Sequence, residues 1–302
     1  MNARLHRWLL AGLATLSLGL FLVLVEADML APGPALVVSL LLPVVLHVGT
    51  IALECLMAWP SRQEASDPRA RDLGLWLRAG LREVWDAARA FYVAQPFFAR
   101  QPLVSAPPSA KRQPVLLLHG YFCNRALWQP LAKRLAAAGH CVAAIDLEPT
   151  WGSIDDYAPQ IAQAVAALQR ETGAARVALV GHSMGGLAAR AYLRAWGDAA
   201  VDRVVTLGTP HRGTRHARFG QGLNVQQMRP DSPWLMALAA SENRDLRSRF
   251  TVILSLQDNI VAPQAIQTLP DARTVHVHGI GHVSLAYDPG VMDQVLDALA
   301  QK

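Results

Sequence analysis

Short apolar runs alternate with longer amphipathic stretches from residue 114 to the end of the chain. The runs are mostly rich in Val, Ile and Leu, as strands buried on both faces of a sheet are. They lie at residues 115–118, 141–145, 177–180, 204–207, 251–256 and 274–277. Helical periodicity follows most of them, at residues 125–138, 155–171, 185–196 and 291–300. This alternation predicts an α/β fold in which helices cover both faces of a mainly parallel sheet of about six strands.

The N-terminal part has a different character, because it contains two long apolar runs. Residues 8–25 carry no charged side chain, and residues 35–53 contain no Asp, Glu, Lys or Arg. Helices of this length cross most of the hydrocarbon core of a bilayer. We therefore expect residues 1–60 to form a two-span membrane anchor. A cleaved signal peptide is the alternative for the first run, since the basic residues Arg4 and Arg7 precede it.

The charges that flank the two runs predict their orientation. Residues 26–34, between the runs, contain acidic side chains and no Lys or Arg. Arginines precede the first run and follow the second, at Arg4, Arg7, Arg62, Arg69 and Arg71. Because Lys and Arg favour the cytoplasmic side, we expect both ends of the hairpin and the domain after it in the cytoplasm, at a bacterial inner membrane. Glu54, which follows the second run, is expected to extend to the membrane interface, and a proton or ion path formed with His47 is the alternative.

Residues 61–113 are predicted to form an amphipathic helix and a linker. Asp67 and Pro68 have the pattern of a helix N-cap followed by a first-turn proline. Apolar residues then recur at helical spacing as far as Tyr92. Their face is expected to lie on the membrane surface or to pack on the following domain. The linker is predicted at residues 104–114, which contain Pro107 and Pro108.

Charge and cysteine content exclude several classes of protein. Lys and Arg number 28 against 23 Asp and Glu, a formal charge of +5. The excess is spread along the chain, without the basic stripe that binds nucleic acid. Cys55, Cys123 and Cys141 have no metal-ligand spacing and cannot all pair. The sequence therefore predicts neither a disulfide scaffold nor a bound metal, and no pattern in it specifies an oligomeric state.

The strongest local signal follows the third predicted strand, where residues 181–185 read Gly-His-Ser-Met-Gly. A Gly-x-Ser-x-Gly sequence between a strand and a helix forms a nucleophile elbow. This turn is so sharp that a Cβ at either glycine collides with its neighbours, and it presents the serine hydroxyl at the sheet edge. Ser183 is therefore the candidate nucleophile.

A serine nucleophile needs a base within hydrogen-bonding distance and an acid that orients the base. His282 lies in the loop after the last predicted strand, so its side chain is expected to reach the same sheet edge. Asp258 ends the preceding strand and is the preferred acid. Asp288 is the alternative, but its position before Pro289 is typical of a helix N-cap. Packing or surface roles are expected for His182, His211, His216, His276 and His278.

The same chemistry requires two donors for the oxyanion of a tetrahedral intermediate. The backbone amide of Tyr121, after a His119-Gly120 turn, is one candidate. The amide of Met184, at the start of the elbow helix, is the other. His119 is expected to hold its turn, and Cys123 is interpreted as a buried thiol.

The order Ser183, Asp258, His282 resembles that of the α/β-hydrolases. Residues 206–213, 258–261 and 279–287 are similar to segments of bacterial triacylglycerol lipases, particularly the small Bacillus-type lipases. The resemblance extends over residues 114–301. It implies an α/β-hydrolase fold and a catalytic domain at residues 114–302. It also implies cleavage of carboxylic esters by a Ser-His-Asp triad without a cofactor.

Residues 211–249 form an insert that is longer than in those small lipases. Such inserts build acyl pockets or lids in related enzymes, and packing on the body of the domain is the alternative here. We expect a membrane-anchored esterase or lipase whose substrate is an acyl ester, with lipid esters among the candidates. An acyltransferase, a thioesterase and a non-catalytic membrane-associated module are the alternatives. A protein beginning near Val104 is expected to retain activity on soluble short esters.

Overall fold

The computed structural model describes residues 2–107, 109 and 111–301, so that Pro108 of the predicted linker lies outside the described residues. The strands are β1 (Val115–Leu118), β2 (Val142–Ile145), β3 (Val177–His182), β4 (Val201–Leu207), β5 (Phe250–Ser255) and β6 (Arg273–Val277). They form a parallel sheet in the order β2-β1-β3-β4-β5-β6. The predicted α/β architecture is confirmed, with six strands in the described part of the chain.

Helices precede the sheet and alternate with its strands. In chain order they are α1 (Asn2–Glu26), α2 (Pro32–Ala58), α3 (Leu73–Ala88), α4 (Gln95–Phe97), α5 (Gln129–Ala137), α6 (Ala158–Thr172), α7 (Met184–Trp196), α8 (Leu223–Gln227), α9 (Pro233–Ala240), α10 (Arg244–Ser248) and α11 (Pro289–Ala300). Short 3₁₀ turns lie at Trp59–Glu64, Pro68–Arg71, Arg125–Trp128, Ile154–Tyr157, Arg215–Arg218, Gln264–Gln267 and Val283–Ala286.

The side chains of β1, an interior strand, pack into two hydrophobic cores, one on each face of the sheet. Leu116 and Leu118 are buried on the side of α6 and α7, and Val115 and Leu117 on the side of α5 and α11. This division arises because successive side chains of a strand point to opposite faces. Since all six strands run in the same direction, their carboxyl ends meet at one edge of the sheet. The loops after β1, β3, β5 and β6 come together there.

Helices α1 and α2 form an antiparallel hairpin that leaves most of its apolar side chains exposed. By length and composition, both are apolar enough to cross a bilayer. The open end of the hairpin is attached to the sheet domain. The Asn2 side chain donates to the Cys123 carbonyl at 2.5 Å, and His6 Nε2 donates to the Phe122 carbonyl at 3.1 Å. The turn between α1 and α2 is therefore the part of the hairpin farthest from the domain.

Helix α3 begins one turn later than the sequence predicts. Its N-cap is Asp72, whose side chain accepts from the Leu75 amide at 3.0 Å, whereas Asp67 caps the preceding 3₁₀ turn. Packing on the following domain, one of the two interpretations of its apolar face, is observed for part of the helix. One face packs on the domain and the other is exposed. The buried residues are Trp76, Ala79, Glu83, Asp86 and Ala87, and the exposed apolar ones are Leu73, Leu77, Leu81 and Trp85.

The insert at residues 211–249 contains α8, α9 and α10 and packs largely on the sheet domain. Its buried apolar residues include Val225, Met228, Leu235 and Leu238. Phe219 and Met236 stay exposed. The packing alternative is therefore correct for most of the insert, while its first part also borders a cavity described below.

Candidate active site

The nucleophile elbow lies between β3 and α7, as the sequence predicts. Ser183 joins the two elements with φ 54° and ψ −126°, a strained conformation for a residue with a side chain. The flanking glycines make the turn possible. A Cβ at Gly181 would lie 2.5 Å from the Gly186 nitrogen, and one at Gly185 would collide with the Leu118 carbonyl oxygen.

The predicted acid and base are in contact. His282 Nδ1 lies 2.8 Å from Oδ2 of Asp258, which is fully buried. The other carboxylate oxygen, Oδ1, accepts from the amides of Ile260 at 2.8 Å and Val261 at 2.7 Å. These two bonds fix the carboxylate, so Oδ2 is held toward the His282 ring. Neutral His282 with its proton on Nδ1 leaves Nε2 free to accept a proton.

Electrostatics around His282 favour its protonated form. Burial alone lowers the pKa of the imidazole. The negative charge of Asp258, the hydrogen bond to it and the charge of Glu83 together outweigh burial, so the pKa of His282 lies above its ordinary value. Such a base takes a proton readily, which suits general-base catalysis.

The two candidate oxyanion donors are backbone amides close to Ser183 in the fold. Among the described residues, neither the Tyr121 amide nor the Met184 amide donates a hydrogen bond within the protein. Gly120, which precedes Tyr121, lies so close to the elbow that a Cβ there would be 2.9 Å from the Ser183 Cβ. The His119-Gly120 turn therefore brings the Tyr121 backbone close to Ser183, the candidate nucleophile.

The other residues that the sequence analysis considered for this site form structural hydrogen bonds or are buried. His119 Nε2 accepts from the Leu147 amide at 2.9 Å, and His182 Nε2 donates to the His282 carbonyl at 2.9 Å. Burial raises the pKa of the Cys123 thiol to about 12, which excludes a thiolate nucleophile at neutral pH. Asp288 caps α11 by accepting from the Val291 amide at 2.8 Å.

Comparisons with known structures identify the fold. The mature lipase BlEst2 of Bacillus licheniformis superimposes with a TM-score of 0.56 at 18% identity, covering 66% of this chain and 96% of that one. Aspergillus fumigatus lipase B superimposes with a TM-score of 0.59 at 19% identity, over 65% of this chain and 54% of that one. The family model for the alpha/beta hydrolase fold matches residues 113–236. The sheet and its helices form a domain with the α/β-hydrolase fold.

Sequence comparison points in the same direction. The chain is 36% identical over 124 residues to triacylglycerol lipases of Pseudarthrobacter phenanthrenivorans and Burkholderia plantarii. The match spans 37% of this chain and only 38% and 34% of those relatives, little more than a third of their length. The α/β-hydrolase domain is thus similar to bacterial triacylglycerol lipases, as its motifs indicate.

Sequence reasoning missed Glu83, a carboxylate of α3 that is buried next to His282. Its Oε1 accepts from the Val283 amide at 2.8 Å and its Oε2 from the Ser284 amide at 2.9 Å. These amides begin the 3₁₀ turn that follows His282, where a negative charge is favourable. Burial raises the pKa of Glu83, against the effect of the two amide bonds. Its helical spacing from the buried residues Trp76, Ala79 and Ala87 was the signal that could have found it.

Glu54, which the sequence predicts to extend to the membrane interface, contacts the domain in the structure. Its Oε2 accepts from the Asn259 side chain at 2.8 Å, and Asn259 Oδ1 accepts from the His282 amide at 2.9 Å. The second apolar helix therefore contacts the loop after β5 through Glu54. The carboxylate turns inward because α2 lies over the sheet edge, where polar partners are available.

Two cavities meet at Ser183. The first, of about 400 Å³, is lined by Ser183 and His282 together with residues of α2 and α3 such as His47 and Glu83. The second, of about 480 Å³, extends from Ser183 between α2 and the insert. Each has the size of a small-molecule binding site. The described residues contain no group of three or more His, Cys, Asp or Glu side chains that could hold a metal ion.

Proposed function

We propose that the chain is a membrane-anchored serine hydrolase that cleaves carboxylic esters through Ser183, His282 and Asp258. The observation that carries the proposal is a strained Ser183 facing a cavity that it shares with His282, whose ring is bonded to buried Asp258. Strained backbone conformations of this kind cluster at functional sites, where the surrounding structure holds them in place. The similarity of the domain to triacylglycerol lipases supports the same class of reaction.

In the first half of this mechanism, Ser183 Oγ attacks the ester carbonyl carbon while His282 Nε2 takes the hydroxyl proton. Asp258 holds the imidazole and stabilises its positive charge. The Tyr121 and Met184 amides donate to the oxyanion. When the tetrahedral intermediate collapses, the bond to the leaving oxygen breaks and His282 gives that oxygen its proton. The acyl group stays on Ser183.

In the second half, water attacks the acyl-enzyme and His282 takes a proton from it. The new intermediate collapses, Ser183 regains its proton from His282, and the carboxylic acid leaves. The products are one acid and one alcohol. Acyl transfer and thioester cleavage use the same residues and differ only in the acceptor or the leaving group, so product analysis separates them.

The test exposes the purified full-length protein, in detergent, to p-nitrophenyl esters and acyl thioesters of rising chain length. Release of free acid with p-nitrophenol supports ester hydrolysis. Acyl transfer to an added alcohol without free acid indicates an acyltransferase, and a strong preference for thioesters indicates a thioesterase. Absence of turnover, together with absence of fluorophosphonate labelling at Ser183, contradicts the proposal and favours a non-catalytic module.

We further propose that the α1–α2 hairpin spans a bacterial inner membrane and holds the domain at its cytoplasmic face. The exposed apolar side chains of both helices support this, because proteins surrounded by water rarely expose so large an apolar patch. The contacts of Asn2 and His6 with the domain support retention of α1 rather than its cleavage. The acidic connection and the basic flanks support the orientation.

Fusions at the C-terminus test the orientation. A fluorescent-protein fusion is expected to be bright and an alkaline phosphatase fusion inactive, since both reporters depend on the compartment. Mass spectrometry of the purified protein is expected to include the peptide containing Arg4 and Arg7. An active phosphatase, or a mature protein that lacks α1, contradicts the proposed topology.

A further inference from the structure

Helix α2 borders both cavities that meet at Ser183. Thr50 and Glu54 line the two cavities alike, together with Ser183 and Tyr121. Toward one end of the helix, His47 faces the first cavity, and toward the other end Met57 faces the second. An ester bound at Ser183 therefore extends one arm along each direction of α2.

The position of His282 distinguishes the two arms. His282 lines the first cavity and is absent from the lining of the second. In the proposed mechanism, the imidazole gives its proton to the leaving oxygen, so the alcohol must lie on the His282 side. The first cavity then receives the alcohol, and the second receives the acyl chain.

The second cavity has walls suited to a hydrocarbon chain. Met57 of α2 is half-buried and faces the insert residues Val225 and Met228, which are buried. Unbranched, polarisable Met side chains adapt well to flexible apolar ligands. The volume of about 480 Å³ leaves room for a chain well beyond an acetyl group.

We propose that Met57, on the second apolar helix, is a specificity-determining residue that limits the acyl chain length accepted at Ser183. The helix is then a wall of the substrate site as well as an anchor, and the preferred substrates are esters of medium or long unbranched acids. This inference rests on the proposed function. It adds that chain-length selection depends on a residue outside the α/β-hydrolase domain.

The test compares Met57→Trp with Leu56→Trp in the full-length protein. Leu56 is adjacent in sequence, 69% exposed, and lines a separate groove between α2 and α3. For Met57→Trp we expect kcat/KM on p-nitrophenyl laurate and palmitate to fall roughly tenfold or more, because the larger ring overfills the cavity. Turnover of p-nitrophenyl acetate is expected to stay near the wild-type value in Leu56→Trp, and to fall far less than that of p-nitrophenyl laurate in Met57→Trp, which shows that the site remains folded.

A uniform loss over all chain lengths, an unchanged profile, or the same selective loss in Leu56→Trp overturns the inference while leaving ester hydrolysis intact. A second measurement does not need turnover. In a Ser183→Ala background, a brominated long-chain fatty acid is expected to quench the added fluorescence of Met57→Trp to a saturating level, and excess unbrominated acid is expected to reverse the quenching. Quenching that rises without saturation, as expected for the exposed Leu56→Trp, contradicts an acyl chain beside Met57, whether or not the protein hydrolyses esters.

Discussion

The two parts of this molecule differ in the exposure of their apolar residues. From β1 onward, the α/β-hydrolase domain buries Val, Leu and Ile on both faces of its sheet. The α1–α2 hairpin exposes most of its own apolar side chains. Yet the end of α2 next to the domain, with α3, reaches the loops that hold Asn259 and His282 through Glu54 and Glu83. The exposed apolar hairpin and the sheet domain are therefore not separate units, because one end of α2 contacts the loops of the domain.

His282 and its neighbours are held by residues from both parts of the molecule. Its ring is held from within the domain by Asp258, at 2.8 Å. The backbone that follows it is held from outside, by Glu83. Asn259 links its amide to Glu54 on α2. In the proposed mechanism the domain contributes the reacting groups, and the N-terminal part holds the backbone around His282.

The largest effect is expected within the domain. Ser183→Ala removes the nucleophile and should lower ester hydrolysis at least about a thousandfold, because oxyanion stabilisation alone leaves only a small residual rate. The measurement is kcat/KM on p-nitrophenyl butyrate, with circular dichroism to show that the fold persists. A fluorophosphonate probe should label Ser183 in the wild type. Labelling at another residue, or an active alanine variant, contradicts the assignment of Ser183 as the nucleophile.

The next effect concerns the N-terminal part as a whole. The sequence alone predicts that a protein beginning near Val104 retains activity on soluble short esters. From the structure we expect a loss of activity instead. The truncated protein lacks both Glu54 and Glu83, and with them the hydrogen bonds that hold the residues around His282. A loss of roughly a hundredfold on p-nitrophenyl acetate is expected from misplacement of the base. Retained activity would mean that the domain positions His282 unaided.

Replacement of one carboxylate, Glu83, tests the contribution of the N-terminal part to the placement of His282 with a smaller change. Glu83→Gln should lower kcat/KM by roughly tenfold, because the amide cannot accept from both backbone N–H groups as the carboxylate does. The pH profile should also change. Catalysis needs neutral His282, so activity falls as the pH decreases through a pKa that Asp258 and Glu83 hold above 6.5. Without the charge of Glu83 this pKa decreases, and the acid limb moves to lower pH.

Asp86→Asn is the matched control, because Asp86 lies one turn farther along α3 and pairs with Arg82 at 3.6 Å rather than with the His282 loop. Its acid limb is expected to stay in place. If both variants shift the limb equally, the effect is a general loss of negative charge, and Glu83 is not a positioning residue.

Local patterns explain which features the sequence predicts. β1 begins and ends at the predicted residues because its apolar run is bounded by Pro114 and the His119-Gly120 turn. The elbow is equally local, as Gly181 and Gly185 are dictated by contacts within the turn. Glu83 could not be assigned in the same way, because its partner Val283 is 200 residues away. Only the tertiary fold brings the two together, because an acidic residue on a helix does not indicate a partner so distant in the chain.

The smallest effect concerns the outer face of α3, where the exposed apolar stripe continues the surface of the hairpin. Trp85, 72% exposed, is the largest side chain of that stripe. If the stripe rests in the membrane interface, Trp85→Ala should reduce activity on esters in anionic vesicles by roughly fivefold, the effect of about 1 kcal/mol of lost apolar contact. Activity on soluble p-nitrophenyl acetate should not change, since Trp85 lies outside both cavities that meet at Ser183.

Trp196→Ala provides the control for this last variant. Trp196 is 52% exposed, but it ends α7, a 13-residue helix that starts at the elbow and runs away from it for about 20 Å. Its removal should leave vesicle activity unchanged, because that end of the domain faces away from the proposed membrane surface. Equal losses in the two variants would show that any exposed Trp assists adsorption. A loss confined to Trp85→Ala would extend the membrane contact from the hairpin to the helix that holds Glu83, so that the element next to His282 also rests on the bilayer.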